Sequence, residues 1–218
     1  MVHVPDLLSN IGLLHAATPA ELDKLADASF GRYLKRGQIL VREGQPADLL
    51  FLVVAGRLKV YVASPRGESL SLAVLGPGEV LGLFGVIDGR PRSANIEALE
   101  DARLICIPAA AYRELLKTNA AVSLSVAEEL AFRLRDLTGS AADLVFLDLP
   151  RRLAKLLVSA AGDDGLSLTQ TEIADQLGAT RSSVNRNLAA FQRRGWIETT
   201  RSHTEILDRD SLAAFGDS

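Results

Sequence analysis

The sequence predicts an α+β protein: an N-terminal antiparallel barrel or jelly roll, one long helix, and a C-terminal helix-turn-helix followed by a wing. Three observations carry this. Residues 28–107 hold short runs rich in valine, leucine and isoleucine, separated by turn signals such as REGQPAD, SPRGE and GPGE, as expected of repeated strands in a two-sheet or closed β-fold. From Pro108 to about Phe146 the apolar period becomes helical. The segment LTQTEIADQLGATRSSVNRNLAAFQRRGWIET then reads as two capped helices joined by a tight turn.

The chain has 218 residues, 48% hydrophobic and 23% charged, enough for one large domain or two small ones with their own cores. Ahead of the strands, TPAELDKLADA reads as a helix with Thr18 as N-cap, Pro19 in its first turn and Glu21 closing a capping box. The predicted strands are GQILV, LLFLVVAG, RLKVYVA, SLSLAVLG, RSANIEAL and ARLICI. Within the long helix Ala127, Leu130, Leu134, Leu137, Ala141 and Leu144 recur at alternating three- and four-residue spacing. So narrow a stripe suits pairing with a second copy of itself, although the same face could pack on the chain's own β domain. FLDLPRR then marks a boundary, with Asp148 able to cap a new helix whose first turn holds Pro150.

In the C-terminal unit Thr169 and Glu172 form a capping box, with Ile173, Ala174 and Leu177 facing inward. Gly178 fits a left-handed C′ position and Thr180 can cap the second helix. In that helix Val184, Leu188 and Phe191 share one face. The opposite face presents Ser182, Asn185, Arg186, Ala189 and Arg193, with Arg181 in the first turn, where recognition helices meet base edges. WIETTRSHTEIL gives two short alternating runs around a polar turn, the expected wing, with His203 at its tip.

Net charge is −3, which argues against coating nucleic acid through bulk charge. Charge is nearly even in both parts, with 15 basic and 17 acidic groups in residues 1–147 and 9 and 10 in residues 148–218. Between 181 and 201, however, stand Arg181, Arg186, Arg193, Arg194 and Arg201 against Glu198 alone, a local excess suited to phosphate. The single cysteine, Cys106, leaves no internal disulfide and too few thiolates for an iron–sulfur cluster. His3, His15 and His203 all lie outside the β region, which argues against bound haem, any other metal centre, and a metal-dependent jelly-roll enzyme. MVHVPDLLSN lacks the features of a signal peptide and no run of 18 apolar residues occurs, so a cytoplasmic protein with no membrane partner is expected.

Taken together, the β region, the seamed helix, FLDLPRRLAKLL and EIADQLGATRSSVNRNLAAFQRRGWI resemble the cyclic-AMP receptor protein/Fnr (Crp/Fnr) family of bacterial transcription regulators. The likeness spans nearly the whole chain. It implies a cyclic-nucleotide-binding-type β-roll sensor over residues 1–117, a dimerisation helix over 118–147 and a winged helix-turn-helix over 148–218. It further implies a non-enzymatic homodimer that binds palindromic promoter sites in double-stranded DNA and works with RNA polymerase. Against the family's recognition pattern R-E-T-V-x-R, Arg181 and Arg186 match and would contact guanines or phosphates. Ser182 replaces the common glutamate, and Asn185 precedes the second arginine. The competing reading is a ligand-responsive module that acts on protein partners and carries a vestigial DNA domain; arginines at both expected positions discriminate against it.

The resemblance also bears on GLFGVIDGRPRSA, residues 82–94. The family's phosphate-binding cassette reads roughly G-E-L-A-L-L-D-G-x-P-R-S-A, its arginine pairing with a cyclic phosphate and its glutamate accepting the ribose hydroxyl. Gly82, Arg92 and Ser93 match, but Leu83 stands in place of the glutamate. Of the two adjacent hydroxyl residues that meet the adenine, Leu137 and Thr138 occupy the positions and only Thr138 keeps a hydroxyl. Three readings stay open: a structural Arg92 in an empty pocket, a different anionic effector, or cyclic AMP itself with key contacts missing.

Overall fold

A computed structural model describes residues 4–63, 69–160, 168–200 and 203–217. The turn expected at 64–68 and Arg201 lie outside them. The chain divides into two compact units, one of Met1–Val62 with Leu72–Leu134, the other of Ala63–Ser71 with Arg135–Ser218.

The first unit opens with α1 (Val4–Ser9), a single 3-10 turn (Gly12–Leu14) and α2 (Pro19–Ala28). Thr18 and Glu21 make the expected reciprocal capping box. Along the chain, the described residues then form eight strands, of which the end of β4 and the start of β5 fall in the Ala63–Ser71 segment of the other unit: β1 (Phe30–Leu34), β2 (Ile39–Val41), β3 (Leu49–Ala55), β4 (Leu58–Ala63), β5 (Ser69–Leu75), β6 (Val80–Leu81), β7 (Asn95–Ala98) and β8 (Ala102–Pro108). They form two four-stranded sheets ordered β1-β8-β3-β6 and β2-β7-β4-β5. This settles the choice between barrel and jelly roll in favour of two packed sheets.

β3 and β8 explain the unbroken apolar runs LLFLVVAG and ARLICI. Phe51, Val53, Leu104 and Cys106 pack toward the core shared with Leu40, Leu58 and Ile96. Their alternates Leu50, Leu52, Ile105 and Ile107 enter a second core with Leu14, Leu22, Leu25, Tyr112 and Val122. A strand buried on both faces reads as a continuous hydrophobic run. The Cys106 side chain is fully buried, and desolvation raises its thiol pKa.

Four expectations need correction. β1 and β6 are absent from the predicted strands, because Gly31 and Arg32 interrupt the apolar residues of β1 and β6 is only the two residues Val80 and Leu81. Within GLFGVIDG lies a short helix, α3 (Leu83–Asp88), bounded by Gly82 and Gly89 in left-handed backbone. The predicted strand RSANIEAL shrinks to Asn95–Ala98, because Arg92 and Ser93 belong to the loop ahead of it. The helix from 108 to 146 is two helices, α4 (Ala109–Thr118) and α5 (Ala120–Phe146). Asn119 breaks it: its backbone is extended, its Oδ1 accepts from the amides of Ala121 and Val122, and its Nδ2 donates to Ala16 O and Glu21. Asparagine competes with a helix's own backbone in this way.

Beyond α5, α6 (Leu149–Ala160), α7 (Gln170–Leu177), α8 (Arg181–Arg193), β9 (Ile197–Thr199), β10 (Thr204–Ile206) and α9 (Arg209–Asp217) complete the chain. Asp148 Oδ1 accepts from the Arg151 amide, the expected cap. The core of this part joins Leu153, Leu157, Ile173, Leu177, Val184, Leu188, Phe191, Ile197 and Leu212. β9 and β10 pair antiparallel, Ile197 opposite Ile206, as the wing.

Candidate nucleic-acid interface and anion pocket

The helix-turn-helix is set by its caps. Thr169 Oγ1 accepts from the Glu172 amide at 3.2 Å, while Glu172 accepts from the Thr169 amide at 2.6 Å. Gly178 turns the chain at φ 59°, ψ 39°, its amide donating to Ala174 O. Thr180 Oγ1 accepts from the Ser183 amide at 3.2 Å and opens α8. Val184, Leu188 and Phe191 are buried, which fixes the rotation of α8 about its axis.

The opposite face is therefore solvent-facing: Arg181, Ser182, Asn185, Arg186, Ala189 and Arg193 are all exposed. Among the described residues, Arg181, Asn185, Arg186 and Arg193 have no side-chain hydrogen bond or ion pair. Ser182 differs, its hydroxyl lying 3.1 Å from the capping Thr180 Oγ1. Asn187 turns back to Ser183 O, and Gln192 accepts from Thr199 on the wing at 3.0 Å. The result is one exposed face with three uncommitted guanidinium groups and one uncommitted carboxamide. These are the groups that read guanine, adenine and phosphate.

The Gly82–Ser93 loop is organised around Arg92, only 6% exposed. Its backbone is tied to the preceding turn, the amide donating to Gln45 O and the carbonyl accepting from Gly44, both at 2.8 Å. Nη1 donates to Gly82 O at 3.1 Å and Nη2 to Leu49 O, while Nε is buried with no partner among the described residues. The guanidinium also lies 5.2 Å from the Phe51 ring centre. Burial pushes its pKa down, opposed by the negative charge of Asp48. Gly82 permits this closeness: its φ is +83°, and a Cβ there would collide with the guanidinium.

Sequence reasoning missed the partners that make this arrangement, because a backbone carbonyl leaves no mark in residue type. It also missed Arg113, which holds α3 by donating to Val86 O at 2.5 Å. Gly82, Leu83, Arg92 and Ser93 are brought together on one loop and helix, yet not as equals. Ser93 is exposed, whereas Leu83 is 3% exposed and packs into the helix-covered core. Leu137 and Thr138 are exposed on α5, within the second unit. A cleft of about 520 Å³ lined by His15, Glu79, Glu128, Phe132 and Arg133 includes neither Arg92 nor Gly82.

Along the α5 seam Ala127, Leu134, Leu137, Ala141 and Leu144 are exposed. Leu130 is half-buried, packed against the first unit's own core. Beyond the seam positions, Val145 and Phe146 are exposed at the helix end. No described helix is long and apolar enough to cross a membrane.

Residues 31–119 match the cyclic nucleotide-binding domain and residues 151–215 the Crp-like helix-turn-helix domain. The CRP-like cAMP-activated global transcriptional regulator of Mycobacterium tuberculosis is 30% identical over 218 residues, covering 95% of this chain and 97% of its own. The cyclic AMP receptor protein of Thermus thermophilus is 30% identical over 211 residues, covering 94% and 97%. A solved transcriptional regulator of the Crp/Fnr family from Eubacterium rectale is 26% identical with a TM-score of 0.74, covering 96% of this chain and 100% of its own. With both domains matched and relatives that align over nearly their full length, this chain belongs to the Crp/Fnr family of transcription regulators and is not an enzyme.

Proposed function

We propose that the protein is a sequence-specific DNA-binding regulator that acts as a homodimer on inverted repeats, its sensor over 1–117, dimerisation helix over 118–147 and DNA-binding domain over 148–218. One observation carries this reading: α8 exposes Arg181, Asn185, Arg186 and Arg193 on one face, their heads uncommitted among the described residues, while its other face is locked in the core. Arg181 and Arg186 read guanine edges or adjacent phosphates, Asn185 faces the same groove, and Arg193 neutralises phosphate. Ser182, tied to its cap, replaces an acidic cytosine reader, so the half-site differs from that of relatives with glutamate there. Pairing through Ala127, Leu130, Leu134, Leu137, Ala141 and Leu144 would set two recognition helices on half-sites roughly 34 Å apart. RNA polymerase is the expected protein partner.

The sensor responds to a small anion. Arg92 is a buried cation with no ion-pair partner and no Nε acceptor among the described residues, an unfavourable arrangement that a phosphate or carboxylate would relieve. By the family pattern cyclic AMP is a poor match for this chain, since Leu83 replaces the ribose acceptor and Leu137 one of the two base contacts. Selection of bound duplexes from a random pool, followed by titration at physiological salt, tests the DNA reading. An enriched inverted repeat bound far more tightly than random duplex is expected. Equal affinity for both would refute it.

A further inference from the structure

Arg194 differs from the other arginines of the basic stretch. It is the C-cap of α8, with backbone at φ −83°, ψ −6° and its amide donating to the carbonyls of Phe191 and Gln192. Its guanidinium lies 4.8 Å from the Trp196 ring centre and 5.5 Å from that of Phe215. These two rings and Phe191 form a three-ring cluster, with centroids 5.5 to 5.7 Å apart. Phe191 belongs to α8, Trp196 immediately precedes β9, and Phe215 belongs to α9.

The backbone of Trp196 links the same elements. Its amide donates to Phe191 O at 3.1 Å, and its carbonyl accepts from Leu207 at 2.8 Å and Asp208 at 3.1 Å, where the chain leaves β10. Trp196 thus ties the end of α8, both strands of the wing and the start of α9 to one another. The planar guanidinium of Arg194 lies over two rings of this junction, an attraction that weakens when arginine is replaced.

We propose that Arg194 is a positioning residue: stacked on Trp196 and Phe215, it fixes the wing and α9 against the recognition helix instead of contacting phosphate. Arg193, its neighbour, is exposed and has no partner among the described residues, so the two adjacent arginines divide the work. The inference rests on the DNA-binding reading and adds to it. Because Trp196 is the only tryptophan of the chain, its fluorescence reports the junction directly.

The test uses the full chain, comparing wild type with Arg194→Met, Arg194→Lys and Arg193→Met. Affinity for the selected inverted repeat is measured across a salt series, at a temperature where every variant is folded, together with Trp196 emission and melting. Arg194→Met is expected to weaken binding about five- to tenfold, the worth of an exposed cation stacked on two rings, with an unchanged salt slope and a shifted emission. Arg194→Lys, which keeps the charge and loses the flat stacking surface, should recover only part of the affinity. Arg193→Met should leave emission alone and reduce the slope of log affinity against log salt by about 0.9 per protomer. If Arg194→Met lowers that slope with unchanged emission, and Arg194→Lys restores affinity fully, Arg194 is a phosphate contact and the proposal is overturned. If wild type fails to distinguish the repeat from random duplex, the DNA reading is what fails. Emission and melting then still decide the ring lock, and an unmoved Arg194→Met overturns it. Should Arg194→Met not fold, Arg194→Lys decides between the two roles: partial affinity with shifted emission supports the ring lock, and full affinity overturns it.

Discussion

The dimer seam gives the prediction that can be worked most directly from the structure. Leu134 is 65% exposed in the single chain, and its neighbours Leu137 and Leu144 are 64% and 62% exposed. Fully burying a leucine is worth about 1.5–3 kcal/mol, so covering the exposed part of Leu134 is worth about 1–2 kcal/mol per protomer. Both copies of Leu134→Glu together forfeit about 2–4 kcal/mol, or about 30- to 700-fold in the dimer dissociation constant, before counting the cost of placing two carboxylates face to face. The folded protomer should be spared, because so exposed a side chain contributes little to its own core. Sedimentation at low micromolar concentration should therefore move from twice the chain mass toward one, with DNA affinity falling alongside and the circular dichroism of the protomer unchanged. A variant that sediments as a dimer with undiminished DNA affinity would refute the seam. A variant that unfolds would mean Leu134 belongs to an internal core instead.

Arg186→Ala should cost about 1–3 kcal/mol on the selected site and relax one base position, read by competition with single-substituted duplexes. Arg193→Ala should weaken all sequences alike and flatten the salt dependence, as measured by titration from low to physiological salt. In calorimetry with cyclic AMP, Leu83→Glu with Leu137→Thr should bind more than tenfold tighter than wild type, and Arg92→Ala should abolish what binding remains. Each restored polar partner is worth about 1–3 kcal/mol, although Leu83→Glu also introduces a carboxylate into a core position and should lower the melting temperature without ligand. Tight wild-type binding would show that other groups replace the missing acid. Tyr112→Phe should leave stability unchanged or raise it by about 1 kcal/mol in denaturant melts, because the Tyr112 hydroxyl is buried with no hydrogen-bond partner among the described residues.

The parts of this protein legible in its sequence are those decided within a few residues. Thr18 with Glu21, Thr169 with Glu172, and Thr180 ahead of Ser183 each name a helix start, because a cap satisfies amides two or three positions away. Gly178 and the Val184–Leu188–Phe191 spacing likewise fix the turn and the exposed face of α8, and so the candidate DNA-binding residues. Asn119 shows the limit: an apolar period runs through it, yet its side chain takes contacts from Ala16 and Glu21, about one hundred residues away in sequence, and ends α4.

Sequence by itself thus determined the two-part architecture, the exposed face of α8 and the apolar stripe on α5, since periodicity and capping are local physics. Tertiary structure alone decided how Arg92 is held. Its carbonyl partners on Gly82 and Leu49 stand ten and forty-three residues away, and no side-chain code announces them. The same is true of Leu83, whose burial follows from the packing of α3 on the sheet. It is true again of Arg194, one of five similar arginines in sequence, which only the convergence of α8, the wing and α9 places over two aromatic rings. Long-range partners are chosen when distant segments pack together, and that choice is a property of the folded whole.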